Sequence, residues 1–180
     1  MFRAGFFVAV AFWNLVGAGV FGFLINPPIA LYFVQGLNTT AVHGHAALFG
    51  VYGMLGIGLM LFCLRKFSGQ QQWHTSALRF AFWSLNLGLV LMIGLSLLPI
   101  GVLQAVASMQ HGMWYARSAD FMQGDLMQTM RWMRVIGDSV FAAGALALVW
   151  FIIGLRTGWS LVDSRQTEIS ASAALVDSPY

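Results

Sequence analysis

Four stretches of this sequence stay apolar for the thickness of a bilayer. Ala4–Ile25 and Phe80–Leu98 contain no Asp, Glu, Lys or Arg, Ala41–Leu64 contains none besides its two histidines, and Val135–Leu155 contains only Asp138. About 20 mostly apolar residues in a helix cross a hydrocarbon core. Composition agrees: the 180 residues are 59% hydrophobic and 8% charged, with a mean hydropathy of +0.76, where a soluble domain carries about 25% charged residues. The expected fold class is an all-α polytopic membrane protein with four transmembrane helices, spans about 4–25, 41–64, 78–98 and 135–155.

In such a chain the net charge of +3 says nothing about nucleic acid, and the distribution of basic residues sets the orientation. If the loop with Arg65, Lys66 and Arg79 is cytoplasmic, then Arg3, Arg156 and Arg165 are too, which gives six basic residues inside and three outside (Arg117, Arg131, Arg134). Both termini are expected in the cytoplasm, with Asn26–Thr40 and Pro99–Arg134 facing outward. Cys63 is alone, so there is no disulfide framework. The start, "MFRAGFFVAVAFW", has a basic lead, but its apolar run is too long for an ordinary signal sequence and is read as a retained span.

Pro27 and Pro28 stop the first span. The short run "IALYFVQGLNTT" is expected in the outer interface, with Asn38, Thr39 and Thr40 as caps for the second span. That span carries Gly44, Gly50, Gly53, Gly56 and Gly58. A strip of glycine permits close helix packing or leaves room for a flat macrocycle, and both readings stand. His74 sits in a short polar loop and is expected to be exposed. A kink is expected at Pro99, then an amphipathic outer cap over 104–134 containing Trp114, Tyr115 and Trp132. The domain organisation is a helical membrane domain, 1–161, and a polar, disordered cytoplasmic tail, 162–180.

The chemistry concentrates in "TTAVHGHA". A helix turns about 100° per residue, so His43 and His45 lie roughly 200° apart. They are placed to serve two groups on opposite faces rather than to grip one metal ion. Neutral imidazole is a usual axial ligand of haem iron. Two haems flanking one helix would use this spacing, with Gly44 removing a side chain between them. The plainer alternative is that both rings only hydrogen-bond backbone carbonyls, although imidazoles within a membrane are costly and usually functional.

The segment "FWNLVGAGVFGFLINPPIALYFVQGLNTTAVHGHAALFGVYGMLGIGLMLF" resembles the C-terminal part of quinol-dependent nitric oxide reductases, in the haem-copper oxidase superfamily. The resemblance continues through "SLLPIGVLQAVASMQHGMWYARSADFM" and "RWMRVIGDSVFAAGALALVWFIIGL", nearly to the tail. It implies part of a subunit I-type bundle in a bacterial inner membrane. It implies two haem b groups, one on each side of the second helix. His43 would be the axial ligand of the high-spin active-site haem, and His45 an axial ligand of the low-spin haem that supplies electrons. NO and quinol would be the substrates, and a homodimer is a possible assembly.

One departure matters. The family needs three more histidines and a glutamate for a non-haem iron, plus a second histidine on the low-spin haem. Here only His74 and His111 remain, and Glu168 in the tail is the sole glutamate. The chain would therefore be the C-terminal part of a longer polypeptide, completed by N-terminal helices or a partner subunit, or an inactive truncated product. By itself it would not reduce NO.

Asp138, after Gly137, is either an N-cap or first-turn acid or a proton acceptor at a quinol site. The resemblance implies the second, with an acid near the start of the last helix in the quinol pocket. Arg117, Arg131 and Arg134 are candidate contacts for haem propionates, or interfacial anchors. Two alternative functions remain: a small b-type cytochrome anchor that moves electrons from quinol, and an oxygen-reducing relative with copper in place of iron.

Overall fold

The computed structural model describes residues 2–67 and 72–162, with the side chains of Phe2 and Arg3 left out. The expected polar tail, with Arg165 and Glu168, lies outside the described residues apart from Val162. Among the described residues four helices are long and apolar enough to cross a membrane: α1 (Ala4–Ile25), α3 (Asn38–Phe67), α4 (Ser76–His111) and α6 (Asp125–Thr157). Two short helices lie between them, α2 (Pro28–Val34) and α5 (Ala119–Met122). Among the described residues there is no β-strand, only one bridge between Trp73 and Leu161. The chain is an all-α, multi-pass membrane protein.

The helices run longer than the apolar stretches that announced them. Asn38, Thr39 and Thr40, expected as caps, form the first turn of α3. The capping position is Leu37, which has no side-chain cap bond. The first donor of α3 is satisfied from another helix instead: the Asn38 N–H donates to Gln104 Oε1 at 3.0 Å. The expected cap over 104–134 is not a separate layer. Its start is the end of α4, its end is the start of α6, and only Tyr115–Arg117 and α5 lie between. At Pro99 the helix is not interrupted. Proline has no N–H to give the carbonyl four residues back, and the turns just before it, Ile93–Leu97, widen to the π type. The same widening occurs in α1 at Asn14–Phe21 and in α3 at Ala46–Gly53.

Antiparallel pairs α1/α3 and α4/α6 make the bundle, and small residues set both contacts. A Cβ on Gly88 would lie 2.6 Å from the Phe141 nitrogen, and one on Gly137 would lie 2.5 Å from the Met92 nitrogen. Bare backbone is therefore needed where α4 crosses α6, as expected for helices that associate by close packing in lipid. Trp13 of α1 ties the two pairs together. It is buried, its ring covers Gly50 of α3, and its Nε1–H donates to Asn86 Oδ1 of α4 at 2.9 Å. Of the glycine strip on α3, Gly50 and Gly58 pack on α1. A Cβ at Gly44 or Gly56 would meet nothing within 4 Å among the described residues. Gly112 (φ 92) and Gly158 (φ 104) end α4 and α6 in backbone conformations that suit glycine.

Candidate haem-ligand site

His43 and His45 occupy the second turn of α3, and their rings leave it in different directions. His43 turns toward α1. Its Nδ1 lies 2.9 Å from the Gly17 carbonyl oxygen, and its ring lies against Gly22, where a Cβ would come within 3.1 Å of Cε1. Gly17 falls inside the widened stretch of α1. Such a stretch departs from the regular i→i+4 ladder, and the carbonyl of Gly17 accepts from His43. His45 turns toward α6. Its Nδ1 lies 2.8 Å from the Ala41 carbonyl one turn back on α3, and its Nε2 lies 3.0 Å from Arg134 Nη2.

These contacts fix the tautomers. A carbonyl oxygen only accepts, so in each ring Nδ1 carries the proton and donates. In a neutral imidazole the lone pair is then on Nε2. A guanidinium has only donors, so Arg134 Nη2 donates to Nε2 of His45. The plainer alternative therefore holds for one nitrogen of each ring, and the second nitrogen remains a Lewis base. A neutral imidazole oriented by an Nδ1–H bond to a carbonyl is the usual form of a metal-bound histidine. Each Nε2 has the chemistry of an axial ligand to a haem iron, and at His45 an iron would take the place of Arg134. Among the described residues no three His, Cys, Asp or Glu side chains group to hold a metal ion.

Arg134 links His45 to Asp138. Its Nε lies 3.3 Å from the Asp138 carboxylate one turn on, and both side chains are partly exposed. Asp138 is thus joined to His45 through one side chain. Because α6 begins at Asp125, Asp138 is neither an N-cap nor a first-turn acid. Beside this group, Asn38, Ser96, Ile100, Met122, Arg131 and Arg134 line a cavity of about 450 Å³. Two guanidiniums on one wall suit an anionic group.

Arg117 is elsewhere. It is exposed, and its Nη2 donates to the Gln35 carbonyl in the turn before α3. His111 ends α4 with its ring 5.0 Å from that of Tyr115, and His74 is exposed in the loop before α4, as expected. Neither approaches the H-x-H pair. Two positioning groups escaped the sequence reading. One is the Arg134–His45 contact, between residues 89 apart. The other is Gln104, 5% exposed, which accepts from Asn38 and donates to the Ala116 carbonyl at 3.2 Å. A lone amide in the run "VLQAVAS" was the available signal for the second, and nothing local signals the first.

Comparison with known proteins gives the family of the chain. Residues 3–140 match the family "Cytochrome C and Quinol oxidase polypeptide I", a range that includes His43, His45, Arg117, Arg134 and Asp138. A nitric oxide reductase subunit of Stutzerimonas stutzeri is 30% identical over 144 residues, which are 78% of this chain and 28% of that protein. The chain thus spans well under a third of that relative's length. The family match covers most of the chain, and this chain belongs to the cytochrome c and quinol oxidase polypeptide I family, the subunit I family of the haem-copper oxidases.

Proposed function

We propose that the chain is the C-terminal, haem-bearing part of a membrane nitric oxide reductase that takes electrons from quinol. The enzyme would convert two NO, two electrons and two protons into N2O and water. The observation that carries this reading is the pair of Nδ1-anchored imidazoles facing opposite sides of α3. His43 would hold the active-site high-spin haem b and His45 the low-spin haem b. Bound haem iron supplies one-electron chemistry and a site for NO. The protein's part is to fix each ring by its Nδ1–H bond, which leaves Nε2 to face the iron.

Asp138 would accept a proton from quinol near the electron-entry haem, since quinol gives up a proton with each electron. Its link to Arg134, and through it to His45, supports that placement. Arg131 and Arg134 line the neighbouring cavity and suit haem propionates. Arg117 would contact a propionate with guanidinium N–H groups other than those it gives to Gln35. The non-haem iron ligands would come from N-terminal helices of the same enzyme or from a partner subunit. The whole would sit in a bacterial inner membrane as a homodimer.

The test is the optical spectrum of the intact enzyme. His43→Ala should abolish NO reduction and leave the low-spin haem signal, while His45→Ala should remove that signal. The opposite result would reverse the two assignments. One low-spin haem and no high-spin haem in the wild type would favour the cytochrome anchor.

A further inference from the structure

One buried side chain close to the histidine pair has nothing to bond to. Ser96 sits on α4, in the widened stretch Ile93–Leu97, and is 2% exposed. A serine or threonine in a helix commonly returns its hydroxyl to the carbonyl one turn back, as Thr129 and Thr157 do on α6. The Ser96 hydroxyl makes no hydrogen bond among the described residues, and it lines the cavity of about 450 Å³ beside Arg134. A buried hydroxyl without a partner is costly. Its place on a cavity wall points to an acceptor inside that cavity.

The other polar groups on this wall are donors as well. Arg131 has no ion pair or hydrogen bond among the described residues. Arg134 divides its guanidinium between Asp138 and His45. The Asn38 carboxamide is unpaired among the described residues, only its backbone N–H being taken, by Gln104. Because α3 begins at Asn38, the positive end of its dipole lies at the same wall. The acid paired with this group is Asp138, on Arg134, and among the described residues no acid lines the cavity. The rest of the wall is Leu97, Ile100 and Met122. Donors on one side and hydrocarbon on the other suit a carboxylate carried on an apolar body better than a small hydrated anion.

We propose that Ser96 and Asn38, together with Arg131 and Arg134, hold a propionate of the haem at His45. The proposal rests on the reading of His45 as a haem ligand. Arg134 connects the two places, since its Nη2 sits on the Nε2 that would face the iron and its guanidinium also lines the cavity. With iron at that nitrogen, Arg134 keeps Asp138 through Nε and gives its Nη donors to the cavity. Ser96 gains the acceptor it lacks.

Each donor screens a negative charge near the iron, so removing one favours the ferric state. The experiment is a redox titration of the low-spin haem band in the intact enzyme. Arg131→Gln removes a unit charge and should favour the ferric state roughly tenfold, a midpoint lowered by about 59 mV for one electron. Ser96→Ala and Asn38→Ala should each favour it about threefold, because a hydroxyl or an amide contributes only a partial charge. The high-spin haem should shift less. Ser96→Ala is decisive, since it alters no net charge. If the hydroxyl has no acceptor, S96A raises Tm and leaves the midpoint in place, which overturns the proposal. An equal shift at both haems also overturns it. So does a midpoint that moves with added acetate at constant ionic strength, which would assign the cavity to an exchangeable anion. A missing low-spin band, or one that survives His45→Ala, defeats the reading of His45 and the proposal with it. A His45-dependent band that ignores S96A defeats the proposal alone.

Discussion

Asp138 is a carboxylate on a membrane-spanning helix whose partner, Arg134, also holds a histidine. That shared partner predicts a separable defect. In the intact enzyme, Asp138→Asn keeps the hydrogen-bonding shape but cannot take up a proton. Quinol-driven turnover should fall on the order of 10²-fold, the usual contribution of a positioned base. Turnover with an artificial one-electron donor, which brings no proton to be accepted, should stay within about twofold. Equal loss with both donors would make Asp138 a structural partner of Arg134. Gln104 calls for a stability measurement. It satisfies the Asn38 N–H and the Ala116 carbonyl from within the protein. Gln104→Ala strands both, and about 1–3 kcal/mol per buried unsatisfied group is the expected cost. Thermal unfolding of the purified enzyme should show Tm lowered by several degrees, and an unchanged Tm would mean that water replaces the amide.

At the scale of elements, the contact between α1 and α3 decides where His43 points. A Cβ on Gly17 would run into Ala46, and the Gly17 carbonyl is also the acceptor for His43. Gly17→Val should therefore separate the helices and release the ring together. Expected is a selective loss of high-spin haem, read from the pyridine-haemochrome total and the low-spin band, with the low-spin haem retained. Much of this layer was legible beforehand. The four apolar runs gave the four helices because hydropathy acts through length alone. The H-x-H spacing gave opposite faces because helical rotation is local. Helix ends were misjudged for a reason equally physical: α4 and α6 continue past the apolar stretch as mixed helices held by neighbours. Gln104 replaces a local cap at α3, and no window of sequence reports a donor paired 66 residues away. The wide turns were illegible for the same reason, except that Pro99 marked the vicinity of one.

At the scale of the whole molecule, the charge difference between the ends predicts orientation. In a Cys63→Ala background, Gln72→Cys should react with a membrane-impermeant maleimide only in inside-out vesicles. Trp114→Cys, at the opposite end and 82% exposed, should react only in right-side-out vesicles or spheroplasts. The reverse pattern would invert the topology and place the His43–His45 end in the cytoplasm. Size is the other global observable. An antibody against "SRQTEISASAALVDSPY" should detect a membrane polypeptide several times larger than the 19.7 kDa of this sequence. A band near that mass would leave the proposed NO reduction dependent on a separate polypeptide that brings the iron site.

The widened turns also constrain how such a chain can descend. Each turn at Asn14–Phe21, Ala46–Gly53 and Ile93–Leu97 accommodates more residues than an α turn. A residue lost from regular α-helix rotates what precedes it by about 100°, but one lost from Asn14–Phe21 closes a wide turn to an α turn and leaves Trp13 over Gly50 and Phe6 in the core. The wide turns are thus the places where this chain tolerates a change of length, and the α stretches between them are where it does not. At Asn14–Phe21 the cost of such a loss falls on the Gly17 carbonyl that accepts from His43.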